Sequence, residues 1–126
     1  MKEIMLYSGI INVLCFFMHE FDAFHRGEWK MFKPLRALSE KNQYTLFLYV
    51  HIPFCLFFFY YLWTVWNFSN LCLWIAVNGF GVLHLVIHLL ARKWESNVFS
   101  SFHSFLFISG AALTGLINLL LVGYYR

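Results

Sequence analysis

The chain has 126 residues, of which 61% are hydrophobic, 22% aromatic and 12% charged, with a mean hydropathy of +0.65. Soluble domains carry about 25% charged residues, so this composition excludes an ordinary soluble enzyme and predicts an integral membrane protein. The net charge of +3 is informative only once the charges are placed along the chain.

The first apolar segment covers residues 4–24. Its start, Lys2 followed by a hydrophobic run, resembles a secretory signal, but no small-x-small cleavage pattern follows, so the segment is expected to stay as a membrane helix. At about 100° per residue, Ser8, Asn12, Cys15, His19, Asp22 and Arg26 fall in one narrow sector of that helix. A polar stripe of this kind has to face something other than lipid. Segment two, residues 44–66, has no charged residue. Pro53 lies inside it, where it should strip the Tyr49 carbonyl of its helical donor and bend the helix. Segments three and four cover residues 71–90 and 102–124. At about 1.5 Å per residue each segment can cross a hydrocarbon layer about 30 Å thick. The expected fold is therefore all-α: one domain over residues 1–126, an up-down-up-down four-helix membrane bundle with short loops. Gly110, Thr114 and Gly115 give segment four a small-residue face suited to close helix contact, within the chain or between copies in a homo-oligomer.

Basic residues set the expected topology. The first connection carries Arg26, Lys30, Lys33, Arg36 and Lys41, and the third carries Arg92 and Lys93; only Lys2 and Arg126 lie on the other side, seven against two. Both charged connections should be cytoplasmic and both termini outside. Trp29 and Trp94 would mark one interface; Trp63, Trp66 and Trp74, with Tyr124 and Tyr125, would mark the other. The uncharged turn between segments two and three is Asn67-Phe68-Ser69-Asn70. The run Lys30-Met31-Phe32-Lys33-Pro34-Leu35-Arg36 should lie along the headgroups, with membrane lipids as partners and no nucleic-acid partner. Cys15, Cys55 and Cys72 lack any CxxC spacing and read as buried small hydrophobes.

The histidines are placed unevenly. His19, His51, His84, His88 and His103, from four segments, all fall toward the end of the bundle with the basic connections. His84 and His88 are spaced i,i+4 and share a helix face; Gly81 leaves room one turn earlier, and Asn78 extends the polar line inward. His19 and Asp22 are i,i+3 neighbours. Imidazole and carboxylate groups in this number suit zinc, or non-haem iron or manganese. The expected ligand set is His19, Asp22, His51, His84 and His88, with Glu20 or Asp22 as the group that moves protons. An intramembrane ionisable side chain costs roughly 2.5–3.5 kcal/mol on insertion scales, so several together need mutual compensation. A structural polar network or a proton relay would also satisfy that need. For the remaining groups the plain readings apply. His25 and His103 read as hydrogen-bonded structural residues; Glu28 reads as paired with Arg26 or Lys30, and Glu95 with Lys93.

The pattern His19-Glu20-x-Asp22-Ala23 with Glu28-Trp29 after it, His51-Ile52-Pro53 in segment two, and Gly81-x-x-His84-x-x-x-His88 in segment three resembles an uncharacterised family of small bacterial four-span membrane proteins. That family carries a domain of unknown function with an HE-x-DA…EW signature, and the resemblance covers nearly the whole chain. It is similar more distantly to membrane proteins named for an HxxEE motif, from which it departs in lacking a Glu-Glu pair here. The resemblance implies a multi-pass protein of the bacterial inner membrane and leaves the activity open.

Four functions compete. A metal-dependent membrane hydrolase would use metal-bound water, ionised near neutral pH, on a lipid or other amphiphile entering from the side. A metal-ion or proton transporter would line its path with the stripe on segment one. A haem protein would pair His51 with His84 or His88 as axial ligands. A structural or regulatory subunit would use the polar cluster to lock helix packing. No Walker, Rossmann or nucleophile-elbow pattern is present, which disfavours nucleotide chemistry and serine hydrolysis.

Overall fold

The computed structural model describes residues 2–67, 69–93 and 101–125, the last without its side chain. Among the described residues the fold is all-helical: α1 (Lys2–Arg26), two 3₁₀ turns (Glu28–Met31 and Lys33–Ala37), α2 (Glu40–Asn67), α3 (Leu71–Ala91) and α4 (Phe102–Tyr125). All four α-helices are long and apolar enough to cross a membrane.

Local chemistry fixes the helix ends. α1 has Glu3 in its first turn and His25 and Arg26 in its last, which complements the helix dipole. It stops at Gly27, whose φ of 71° and ψ of 43° are left-handed, a conformation glycine adopts without steric penalty. α3 starts at Asn70, whose side chain accepts from the Leu73 amide at 3.0 Å. Ser101 caps α4 in the same manner, accepting from the His103 and Ser104 amides at 3.1 and 3.4 Å. Each cap gives an orphan donor its partner. α2 continues in helical form through Pro53.

The four helices pack in a ring, α1 beside α2, α2 beside α3, α3 beside α4 and α4 beside α1, with α4 lying most closely on α1 and α3. Small residues permit this closeness. A Cβ added at Gly115 would stand 2.7 Å from the Asn78 carbonyl oxygen on α3, and one at Gly110 would stand 2.9 Å from Cys15 Sγ on α1. Gly81 of α3 faces the Ala111 carbonyl on α4 in the same way, at 3.1 Å. The small-residue face of α4 thus serves contacts within the chain.

α2 is attached differently, through aromatic side chains and over shorter stretches. Phe58 packs on Phe16 of α1 at a ring separation of 4.9 Å, and Tyr61, fully buried, accepts a hydrogen bond from Asn78 at 2.9 Å. Asn78 in turn accepts from Asn118 of α4 at 2.9 Å. This Tyr61–Asn78–Asn118 chain ties three helices together inside the apolar core formed by Val13, Phe16, Phe58, Val65, Val77 and Ala111. Much of the opposite surface is apolar and exposed, for example Leu14, Leu56, Phe59, Leu90 and Leu120, as lipid-facing helices require.

Ser8, Asn12 and His19 of the α1 stripe are buried and Cys15, Asp22 and Arg26 partly so, and α4 is what the stripe mainly faces. Ser8 donates to the Thr114 carbonyl at 3.4 Å, and Asn12 donates to the Ala111 carbonyl at 2.7 Å and to Thr114 Oγ1 at 3.1 Å. Asp22, further along, accepts from Ser104 Oγ. Most of the stripe is therefore a hydrogen-bonded seam between two helices. His19 is the exception, turned toward α3.

Several expectations need correction. Trp74 is 2% exposed and lies against the core near Tyr61, whereas Trp63 and Trp66 are exposed as interface residues. Trp74 belongs to the first turn of α3, on the same face as Asn78 one turn later, so it is carried inward with it. Cys72 is exposed, while Cys15 and Cys55 are partly buried. The readings placed on Phe68, Trp94, Arg126 and the Glu95–Lys93 pair lie outside the described residues.

Candidate functional site

The histidine cluster forms where side chains of α1 and α3, which face each other across the ring of helices, meet beneath the 3₁₀ connector. His84 and His88, one turn apart on α3, have ring centres 4.6 Å apart. His19 from α1 stands 5.2 Å from His84 and 4.8 Å from His88, nearly edge-on to both. One nitrogen from each ring can be chosen so that all three lie within 4.8 Å of one another. His19 is 1% and His88 8% exposed, and His84 is half-buried. The Nε2 atom of His84 is buried with no hydrogen-bond partner among the described residues. Buried imidazole nitrogens are normally satisfied, so this atom is suited to an electron-pair acceptor. Nitrogens bound 2.0–2.1 Å from a tetrahedral zinc lie about 3.4 Å apart. The cluster is somewhat wider than that and would need its rings to turn inward to close on an ion.

The other candidates are placed elsewhere. His51 Nδ1 lies 2.6 Å from the Phe47 carbonyl, one turn back on α2, and His51 Nε2 lies 2.7 Å from Glu20 Oε2. A carbonyl only accepts, so Nδ1 carries a hydrogen. One further proton is then shared between Nε2 and the carboxylate. Both ring nitrogens of His51 are occupied in this way, and it is not drawn into the triad or left open as a haem ligand. Asp22 is held by Arg26, whose Nε lies 3.1 and 3.3 Å from its two oxygens, and by Ser104. The structure therefore brings His19, His84 and His88 together and sets Glu20 with His51, while Asp22 joins α1 to α4. His25 and His103 are both exposed.

Glu28 departs most from its expected surface role. Arg26 binds Asp22 and Lys30 reaches Glu40, so neither expected partner pairs with it. Glu28 is 6% exposed, and its Oε1 has no hydrogen-bond partner among the described residues. Burial pushes its carboxyl up to about 8; Glu20 and Asp22 add to the shift, and His51 and Arg26 oppose it. The left-handed turn at Gly27 folds the connector back and carries Glu28 inward. A glycine directly after a helical run was the available sequence signal.

Glu20, Glu28, His51 and the triad line one cavity of about 830 Å³, and the rest of its wall is largely apolar. Phe47, Val50 and Phe54 of α2 form one side, and Phe80, Ile87 and Ala91 of α3 the other. The connector supplies the roof with Met31, Phe32, Lys33, Pro34 and Leu35. Aromatic contacts fasten that roof to α2, with the Trp29 ring centre 5.1 Å from that of Tyr44 and 5.8 Å from that of Phe47.

These features define a multi-pass helical membrane protein with a buried histidine cluster at one end of its bundle. The chain belongs to the DUF6713 family, a family of unknown function, which matches residues 5–125. The comparisons with curated proteins and with solved structures gave no match.

Proposed function

We propose that this protein is a membrane metalloprotein in which His19, His84 and His88 bind one divalent transition metal, zinc first and non-haem iron or manganese next. The observation that carries this reading is the meeting of three imidazoles, from two helices, within 4.8 Å inside an apolar bundle. Three histidines are a complete protein ligand set for a catalytic zinc and leave one position open. A metal there would supply a water that ionises near neutral pH. Glu20 and His51 line the same cavity and are bonded to each other, so they are the pair that would hold and move a proton beside such a centre. Hydrolysis is the activity this arrangement serves best. The hydrogen bonds from the α1 stripe to α4 favour a packing role for that stripe over a conducting one.

The excess of basic residues on the first and third connections favours a cytoplasmic position for the cluster with both termini outside, and the resemblance carried by His19-Glu20-x-Asp22-Ala23 and Glu28-Trp29 favours the inner membrane of a bacterium. Reporter fusions after Arg126 test the orientation; activity of a reporter that works only in the cytoplasm would reverse it.

Metal analysis of the purified protein tests the centre itself. Roughly one zinc, iron or manganese per chain is expected, falling to background in the His84→Ala/His88→Ala variant. A wild-type preparation that stays at background after incubation with each metal would remove the reading.

A further inference from the structure

We propose that the cavity between α2 and α3 binds one acyl lipid of the surrounding leaflet, its chain lying between the two helices and its carbonyl end directed at Glu28. This names the substrate class of the proposed centre, and it rests on the metal reading only in treating the lipid as a substrate. The cavity and its buried carboxyl stand without the metal.

Three observations point to this ligand. The first is chemical polarity. The cavity's apolar walls end in a polar pole of histidine and carboxylate groups, the division that an amphiphile matches. Its volume of about 830 Å³ falls in the range of about 300–1,000 Å³ typical of sites for small organic ligands. The second is Glu28, a carboxyl more than nine-tenths buried, with Oε1 unsatisfied among the described residues and its side chain on the cavity wall. Buried polar atoms without partners are rare and call for a missing one. Below about pH 8 Glu28 holds its proton and can donate to a carbonyl oxygen, which a long-chain ester or acid offers.

The third is position. Leu46, Val50 and Ile87 line the cavity and are also 43%, 57% and 43% exposed. The gap between α2 and α3 thus opens sideways, where acyl chains lie, and a lipid needs no passage through water. His19 and His84 each lie seven residues from the connector ends of their helices, α1 ending at Arg26 and α3 at Ala91. That is about 10 Å along the axis at about 1.5 Å per residue, beneath the headgroups. Lys33 belongs to the roof and is exposed, positioned to meet an anionic headgroup. An ester-linked phospholipid and a free fatty acid share the acyl carbonyl and differ in retained mass.

The test is native mass spectrometry of the full-length protein extracted from nanodiscs of phosphatidylglycerol and phosphatidylethanolamine, with zinc content measured on the same samples. Wild type should retain one acyl ligand through detergent exchange, its mass telling phospholipid from fatty acid. Val50→Trp, which fills the gap from an exposed position and leaves the core untouched, should lower retention at least five-fold and keep its metal. Glu28→Leu should lower it in the same way, while Glu28→Gln, which still donates a hydrogen bond, should retain the ligand. Equal retention by wild type, Val50→Trp and Glu28→Leu overturns the lipid site whatever the zinc content. Retention of the lipid by wild type that binds no metal removes the metal centre alone.

Discussion

Glu28 carries the clearest pH signature. Its carboxyl has an ordinary value of 4.5 and is raised to about 8 in the folded chain, first by burial. The folded protein therefore holds this proton more tightly than the unfolded chain does. The stability this supplies is fully present below 4.5 and is lost as pH rises through about 8, at a limiting rate of about 1.4 kcal/mol per pH unit. Glu28→Gln keeps the shape and does not titrate, so its stability should fall less steeply than that of wild type across that window. Thermal unfolding in detergent as a function of pH measures the difference, and parallel curves would show that Glu28 does not sense the change. Gly27 signalled the turn, but the burial of Glu28 without a charged partner could not be read from the charges beside it in sequence. Arg26 and Lys30 both flank it, and only the fold reveals that Asp22 and Glu40 have taken them.

At the scale of the helix, the seams on either side of α4 are where small changes should matter most. Gly115→Ala puts a Cβ within 2.7 Å of a backbone oxygen that cannot turn aside, so α3 and α4 must separate. A loss of about 1–3 kcal/mol is expected, read as a lower unfolding midpoint. Gly123→Ala, which meets nothing within 4 Å, serves as the matched control, and equal effects at the two positions would refute the seam. Asn78→Leu removes the link between Tyr61 and Asn118 and leaves two buried polar groups unmatched, at a cost of about 1–3 kcal/mol; an unfolding midpoint equal to that of wild type would show the link to be dispensable. The length of the apolar runs made the four spans legible, and helical periodicity made the sidedness of α1 legible, because it determines which side chains share a face. It does not determine which neighbouring helix that face meets. Ser8, Asn12 and Asp22 were readable as a buried stripe, yet Ala111, Thr114 and Ser104 as their partners required the packing of the bundle. The i,i+4 pair His84 and His88 was legible for the same reason. Its junction with His19, and the pairing of His51 with Glu20, depend on how the helices rotate against one another.

For the molecule as a whole, a metal joining α1 to α3 should stabilise the folded bundle by linkage. At a free concentration 100 times its dissociation constant, a ligand adds about 2.7 kcal/mol. Zinc should raise the unfolding midpoint of wild type and leave that of His84→Ala/His88→Ala unmoved; equal shifts in both would place the effect elsewhere. The helices also differ in length. α2 has 28 residues and α3 has 21, about 42 Å and 32 Å at about 1.5 Å per residue, against a hydrocarbon slab of about 30 Å. The longer helix must lean or protrude, and it is the one that α4 does not clamp. How far α2 leans sets the width of the lateral opening beside Val50 and Ile87. The thickness of the surrounding membrane thereby becomes a control on entry: short-chain bilayers should tilt α2 and change how readily the site fills, a dependence that a rigid, evenly matched four-helix barrel would not show.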